Sequence, residues 1–268
     1  MYPIKIKGCH CNRLRKINSM TKDILSGIKA YFGTFKIITQ LRLWRYFWIP
    51  ILISVLVAII IFTTAYGLSD NIGGFFSQWW TWDWGKSTVL LFSEIFGGLL
   101  IIVFGFILYK HIVMALSAPF MSPVSEKIEA HLTGNTTEKH RDTTFGEQLW
   151  RGIRINLRNL IREILLTLPI LLIGLIPVIG LVSTLLIFLI QAYYAGFGNM
   201  DYTLERHFKY TESVDFVRKN KGIAIGNGIV FMFFLFIPVI GVILVLPLSV
   251  TAATIRTVEL LNAEKEIG

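Results

Sequence analysis

Cysteine is almost missing from this chain, with two among 268 residues. Both, Cys9 and Cys11, flank His10 near the N-terminus. A disulfide framework is thereby excluded, and three donors so close together fall short of the four that a structural zinc site takes. We expect no metal and no cofactor. Acids are scarce too, 17 Asp+Glu against 26 Lys+Arg, and charged residues amount to 16% beside 54% hydrophobic, with mean hydropathy +0.62. A soluble domain carries about 25% charged residues, so this composition speaks for a bilayer-embedded chain and against both a soluble domain and disorder. No Gly-rich phosphate loop, Gly-x-Ser-x-Gly or His-Glu-x-x-His motif occurs, and no nucleophile–base pair stands out, so no enzyme is expected.

The basic excess looks like a nucleic-acid signal until the charges are placed. Lys5, Lys7, Arg13, Arg15, Lys16, Lys22, Lys29, Lys36, Arg42 and Arg45 face a single acid, Asp23, in residues 1–45. Further basic residues gather beside apolar spans, where the positive-inside bias puts them. Nucleic-acid binding is therefore not expected.

Phe47–Tyr66 is free of charge and, at 1.5 Å per residue, long enough to cross a hydrocarbon core of about 30 Å. A second span runs from Ser87 to Tyr109, interrupted only by Glu94. Between them, Trp79, Trp80, Trp82 and Trp84 read as an interfacial belt on the far side, with the N-terminus in the cytoplasm.

Two further apolar stretches, Ile164–Gly198 and Ile223–Ile255, are too long for one comfortable span and short for two. Each is broken by the same five residues, Ile176-Pro177-Val178-Ile179-Gly180 and Ile237-Pro238-Val239-Ile240-Gly241. Proline removes a helix hydrogen bond, and glycine permits a sharp turn. The flanking loops are basic or mixed, so each stretch enters and leaves on the cytoplasmic side, as a re-entrant hairpin does. Broken helices of this kind point to a transport pathway; an inert pair of packed hairpins is the alternative.

The cytosolic parts also read as helical. Ser122-Pro123 predicts an N-cap and first turn of a helix ending near Gly134. Thr144 to Glu147 is a capping-box pattern. The helix it opens carries Arg151, Arg154, Arg158 and Arg162 at spacings of three and four, a row fit for phospholipid head groups or for an anion-collecting vestibule.

Several motifs together resemble the CysZ-type sulfate-transport family, which shares a superfamily with the etoposide-induced membrane proteins. They are Arg45-Tyr46-Phe47-Trp48-Ile49-Pro50, Ala118-Pro119-Phe120 before Ser125-Glu126-Lys127-Ile128-Glu129, the first Ile-Pro-Val-Ile-Gly, Met200-Asp201-Tyr202-Thr203-Leu204-Glu205-Arg206, Gly222 to Gly228, and Pro247 to Thr254. They occur in the family's order. The resemblance implies two long membrane helices plus two hemi-penetrating helix pairs, sulfate uptake feeding cysteine synthesis, and homo-oligomers. It also implies an anion site on a Gly-x-Arg-Arg type motif just before the first span. Here Arg45 matches the second arginine, Trp44 replaces the first, and Arg42 falls where the family has glycine. Threonine, Thr203, replaces the proline of the family's Asp-Tyr-Pro motif.

The expected fold is an all-α integral membrane protein with two long transmembrane helices, two re-entrant helical hairpins and cytosolic amphipathic helices. Residues 1–23 form a basic tail expected to be disordered, 24–257 the membrane domain and 258–268 a short cytosolic tail. Arg42 and Arg45, three apart, would project from one side of a helix as donors to a tetrahedral oxyanion or as lipid anchors. Glu94, about 10 Å into its span, is a coupling candidate or a structural hydrogen-bonding group. Asp201, Tyr202 and Arg206 are further pathway or coupling candidates, with Asp201, Glu205 and Arg206 able to pair with each other. The function expected is an anion transporter or channel of the bacterial inner membrane, with sulfate the leading substrate. A non-transporting scaffold or envelope-organising protein is the alternative. The partners expected are sulfate or a similar small oxyanion, the lipid bilayer and further copies of the chain.

Overall fold

A computed structural model of the chain describes residues 19–78, 86–134, 143–237 and 240–267. Side chains at 65, 67–78, 86–100, 102, 103, 177, 178, 240, 242, 266 and 267 are not part of that description. Cys9, Cys11, the tryptophan-rich segment and the loop at Asn135 therefore lie outside the described residues, as does the Glu94 side chain. Among the described residues every regular element is helical. They are α1 (19–29), α2 (Thr34–Gln40), a 3-10 turn (Leu43–Tyr46), α3 (Trp48–Gln78), α4 (Lys86–Thr133), α5 (Phe145–Ile173), α6 (Pro177–His207), α7 (Tyr210–Lys219), α8 (Lys221–Leu235) and α9 (Ile240–Ile267).

The two long apolar runs near the N-terminus fall in α3 and in the first half of α4, which pack against each other. Contrary to the expectation of a fresh start at Ser122-Pro123, α4 continues through Pro119 and Pro123 as one helix of 48 residues. At 1.5 Å per residue it is roughly 72 Å long, more than twice a bilayer core. Pro119 and Pro123 lack the N–H that would serve the carbonyls of Ala115 and Pro119. Around them Ser122 Oγ donates to Ala118 O at 3.1 Å, and Arg206 of α6 donates to Ser122 O at 3.1 Å, so the stretch is tied to α6. The helix does end where expected: Gly134 follows it with φ 68°.

Both Ile-Pro-Val-Ile-Gly motifs separate helices. Ile176 is the N-cap of α6 with Pro177 in its first turn, and the second motif spans the break between Leu235 and Ile240. The motif glycines act differently from the turn-forming role expected of them. Gly180 and Gly241 sit inside α6 and α9, and a Cβ there would come within 2.9 Å of Gly174 O and 1.9 Å of Phe234 O. They let each returning helix touch the end of the one before it. The glycines of α8 work in the same way on two faces. A Cβ at Gly226 would lie 2.1 Å from Ile24 O of α1, and one at Gly228 would lie 1.7 Å from Ala192 O of α6. Small residues four apart on each face (Gly222 with Gly226, Ala224 with Gly228) allow this backbone-close packing, a device common between membrane helices.

Polarity is distributed as a membrane protein requires. The buried stripe of α5 is Gly152, Ile155, Asn156, Asn159, Glu163, Thr167 and Leu171, largely polar. Its outward side carries Leu157, Ile161, Leu165, Leu168 and Leu172, all exposed. Trp48 and Phe62 on α3 are 74% and 72% exposed, and Leu181 on α6 is 83% exposed. Three described segments, Phe104–Thr133, Ile179–His207 and Ile243–Lys265, are long and apolar enough to cross a bilayer. The C-terminal end of α9 still belongs to the packed body, since Val258 and Leu261 are buried.

Candidate functional site

Where α4, α5 and α6 meet, charged side chains form a buried seam. Lys110 Nζ donates to Glu163 Oε1 at 2.6 Å and to Gln191 O at 3.1 Å, and neither charged group reaches solvent. His111 Nε2 lies 2.9 Å from Glu163 Oε2, and its Nδ1 lies 3.3 Å from Asn156 Oδ1. A charge this far from water persists only when paired and hydrogen-bonded. The seam continues along α6. Arg206 donates to Glu129 Oε2 at 2.8 Å, Ser125 Oγ at 2.7 Å and Tyr202 O at 3.0 Å, and His207 Nε2 lies 2.6 Å from Glu129 Oε1. Tyr202 Oη donates to Met114 O at 2.7 Å. Arg151 grips Asp201 with two parallel bonds, Nε to Oδ2 at 3.1 Å and Nη2 to Oδ1 at 2.9 Å, and also donates to Phe208 O and Ser213 Oγ. Burial works against the Arg151 charge, but the adjoining Asp201 carboxylate outweighs it and holds the guanidinium above its ordinary pKa.

A second group of cations is exposed. Tyr46 Oη accepts from Lys127 Nζ at 2.6 Å and from Arg45 Nη2 at 2.9 Å. Both cations also lie over the Tyr46 ring, at 4.5 and 4.9 Å from its centre. The hydrogen bond from Lys127, then that from Arg45, lowers the Tyr46 pKa below its ordinary value. Among the described residues neither Arg45 nor Lys127 makes an ion pair. The phenol and ring hold two like charges side by side, an electropositive notch with guanidinium and ammonium donors.

Arg42 is close in sequence but differently placed from the expected shared helix face. It closes α2 in the left-handed region, at φ 50°, while Arg45 sits in the following 3-10 turn. Both are exposed. A positive φ favours glycine, which accounts physically for the glycine that the family resemblance puts at this position.

The arginine row of α5 divides. Arg151 is committed to Asp201, and Arg154 lies 4.1 Å above the Tyr210 ring. Arg158 lies 5.2 Å from the centre of the Phe197 ring and donates to Asn159 Oδ1 at 2.8 Å. Burial, then the charge of Arg162, lowers its pKa below the ordinary value.

Of the residues singled out from sequence, Asp201, Tyr202 and Arg206 come together on the seam. Asp201 and Arg206 do not pair with each other or with Glu205: their partners are Arg151 and Glu129, supplied by α5 and α4. Glu205 is buried, and its Oε1 accepts no hydrogen bond. Sequence reasoning passed over Lys127, Lys110, His111 and Glu163 as site residues. Lys110 and Glu163 each flank a charge-free stretch, and a charge at the edge of an apolar run was the available signal.

An all-helical body with apolar side chains outward and a paired polar seam inward defines an integral membrane protein. The family described as sulfate transporter CysZ/etoposide-induced protein 2.4 matches residues 30–246, and the chain belongs to that family. A search of curated proteins finds no match.

Proposed function

We propose that the chain is an inner-membrane oxyanion transporter or channel, with sulfate its leading substrate. The observation that carries this reading is the convergence of Arg45 and Lys127 on Tyr46, neither making an ion pair among the described residues. Sulfate entering a membrane must shed water, and fixed cationic donors have to replace that hydration. Arg45 and Lys127 supply them, with Arg42 the adjoining donor. Beyond the notch the seam offers a polar interior, in which Ser117 Oγ and Asn159 Nδ2 are buried without a protein partner. Asp201, Tyr202 and Arg206 border it, and they remain, with Glu94, its coupling candidates.

The membrane arrangement in this reading is two spanning helices and two re-entrant hairpins, with the N-terminus cytoplasmic and the chain assembled as a homo-oligomer. The outgoing helix of each hairpin supports it by its length, while the returning helices α6 and α9 are long and apolar enough to cross. The charge-free part of α5, Ile164 to Ile173, reaches only about 15 Å, and Ile223 to Leu235 in α8 about 20 Å, each short of a core of about 30 Å. The great length of α4 leaves its second half free to carry the seam. Residues 24–257 are the membrane domain in this reading, and the packed ends at Met20, Asp23, Val258 and Leu261 adjoin it.

Sulfate titration of the purified protein tests the site. Removing one charge-assisted donor to a bound anion costs about 1.5–3 kcal/mol, roughly tenfold and upward in affinity. Arg45→Ala and Lys127→Ala are expected to lose that much, and Arg45→Lys to recover only part, because an ammonium does not reproduce the planar fork. Unchanged affinity in both alanine variants rejects the notch.

A further inference from the structure

The Arg158–Arg162 pair on α5 is placed unlike the other cations. Each is one turn from the other, and among the described residues neither makes an ion pair. The nearest acid in sequence, Glu163, points to the seam, where Lys110 and His111 occupy it. Arg158 is half-buried and held in place by the Phe197 ring and by Asn159. Tyr193 and Tyr194, on α6, lie within electrostatic reach of both guanidiniums, and their rings pack edge to face at 5.0 Å. Arg218 also reaches Tyr193, but it is paired with Asp215.

What lies beyond the pair names the ligand class. Arg162 is the last basic residue before the charge-free stretch. One turn further along the helix stand Leu165 and Leu166, and then Leu168 and Leu172, all exposed. A guanidinium pair followed on the same helix by exposed leucines matches a molecule with an anionic oxyanion head and an apolar tail. We propose that Arg158 and Arg162 form a binding site for the phosphate of an anionic phospholipid, with the acyl chains lying along Leu165, Leu168 and Leu172. The site is separate from the Arg45–Lys127 notch and does not depend on what the chain transports. The lipid fixes the depth of the α5–α6 hairpin in the membrane.

A free oxyanion shares the head-group chemistry, so the test has to separate the two sources. Native mass spectrometry of the detergent-solubilised full chain, titrated with phosphatidylglycerol and with phosphatidylcholine, reads the bound lipid directly. Wild type is expected to retain phosphatidylglycerol in preference. Arg158→Gln/Arg162→Gln is expected to lose about tenfold or more of that binding, and Arg154→Gln to keep it. Sodium sulfate is expected to displace the lipid no better than sodium chloride at equal ionic strength. Should the double variant fail to fold, Arg162→Gln alone, at an exposed side chain, is expected to give a smaller loss in the same direction. Wild-type lipid retention in the folded variant, equal loss in Arg154→Gln, or selective displacement by sulfate overturns the proposal.

Discussion

Lys110 and Glu163, Arg206 and Glu129, and Arg151 and Asp201 stand 2.6 to 2.9 Å apart between α4, α5 and α6, largely hidden from solvent. Arg45 and Lys127 stand at the surface with a phenol between them and, among the described residues, no ion pair. The two regions use the same residue types to opposite ends. A buried charge without a partner costs several kcal/mol, so Lys110, Arg151 and Arg206 are each matched by an acid from another helix and the pair fixes how the helices sit. An exposed cation costs little, so the rim is free to keep its positive charge unspent for a ligand. Charge balance, rather than charge itself, separates the residues that hold this fold from those proposed to meet an anion.

The largest effect belongs to the seam. Glu163→Ala leaves Lys110 buried and unpaired, and we expect a loss of about 3–5 kcal/mol in stability. Lys110→Met/Glu163→Gln removes both charges and is expected to cost clearly less than Glu163→Ala. Thermal unfolding in detergent reads the difference; additive losses would show that the two charges do not depend on each other. Next comes Asp201→Asn, expected to cost about 1–3 kcal/mol, because Arg151 keeps its bonds to Phe208 O and Ser213 Oγ while losing the charged pair. At the rim, Arg45→Ala and Lys127→Ala are expected to leave stability within about 0.5 kcal/mol of wild type. A rim variant that unfolds like Glu163→Ala would erase the contrast.

Local signals were legible wherever the physics is local. The capping box at Thr144 forms as its letters predict, with Thr144 N donating to Glu147 Oε2 at 2.8 Å and Glu147 N to Thr144 Oγ1 at 3.3 Å. The repeated Ile-Pro-Val-Ile-Gly does break the helices. Ser122-Pro123 misled because α4 is packed against other helices along this stretch, with Arg206 of α6 bonded to Ser122 O from more than eighty residues away, and no local window contains that contact. The glycines of the repeat misled for the same reason: their need is set by carbonyls of the preceding helix. Arg45 was legible from its position before an apolar span. Lys127 was not, because only the fold brings α4 back to Tyr46. Likewise the row of four arginines reads as uniform in sequence, and only Asp201 and Tyr210, delivered by other helices, divide it.

Uptake of labelled sulfate into proteoliposomes tests most directly that the unpaired rim serves a transported oxyanion. Wild-type vesicles are expected to take up sulfate well above protein-free vesicles. Arg45→Ala/Lys127→Ala is expected to fall to the protein-free level while it reconstitutes and unfolds like wild type. Uptake that is unchanged in the double variant, or wild-type uptake no faster than in empty vesicles, would contradict it.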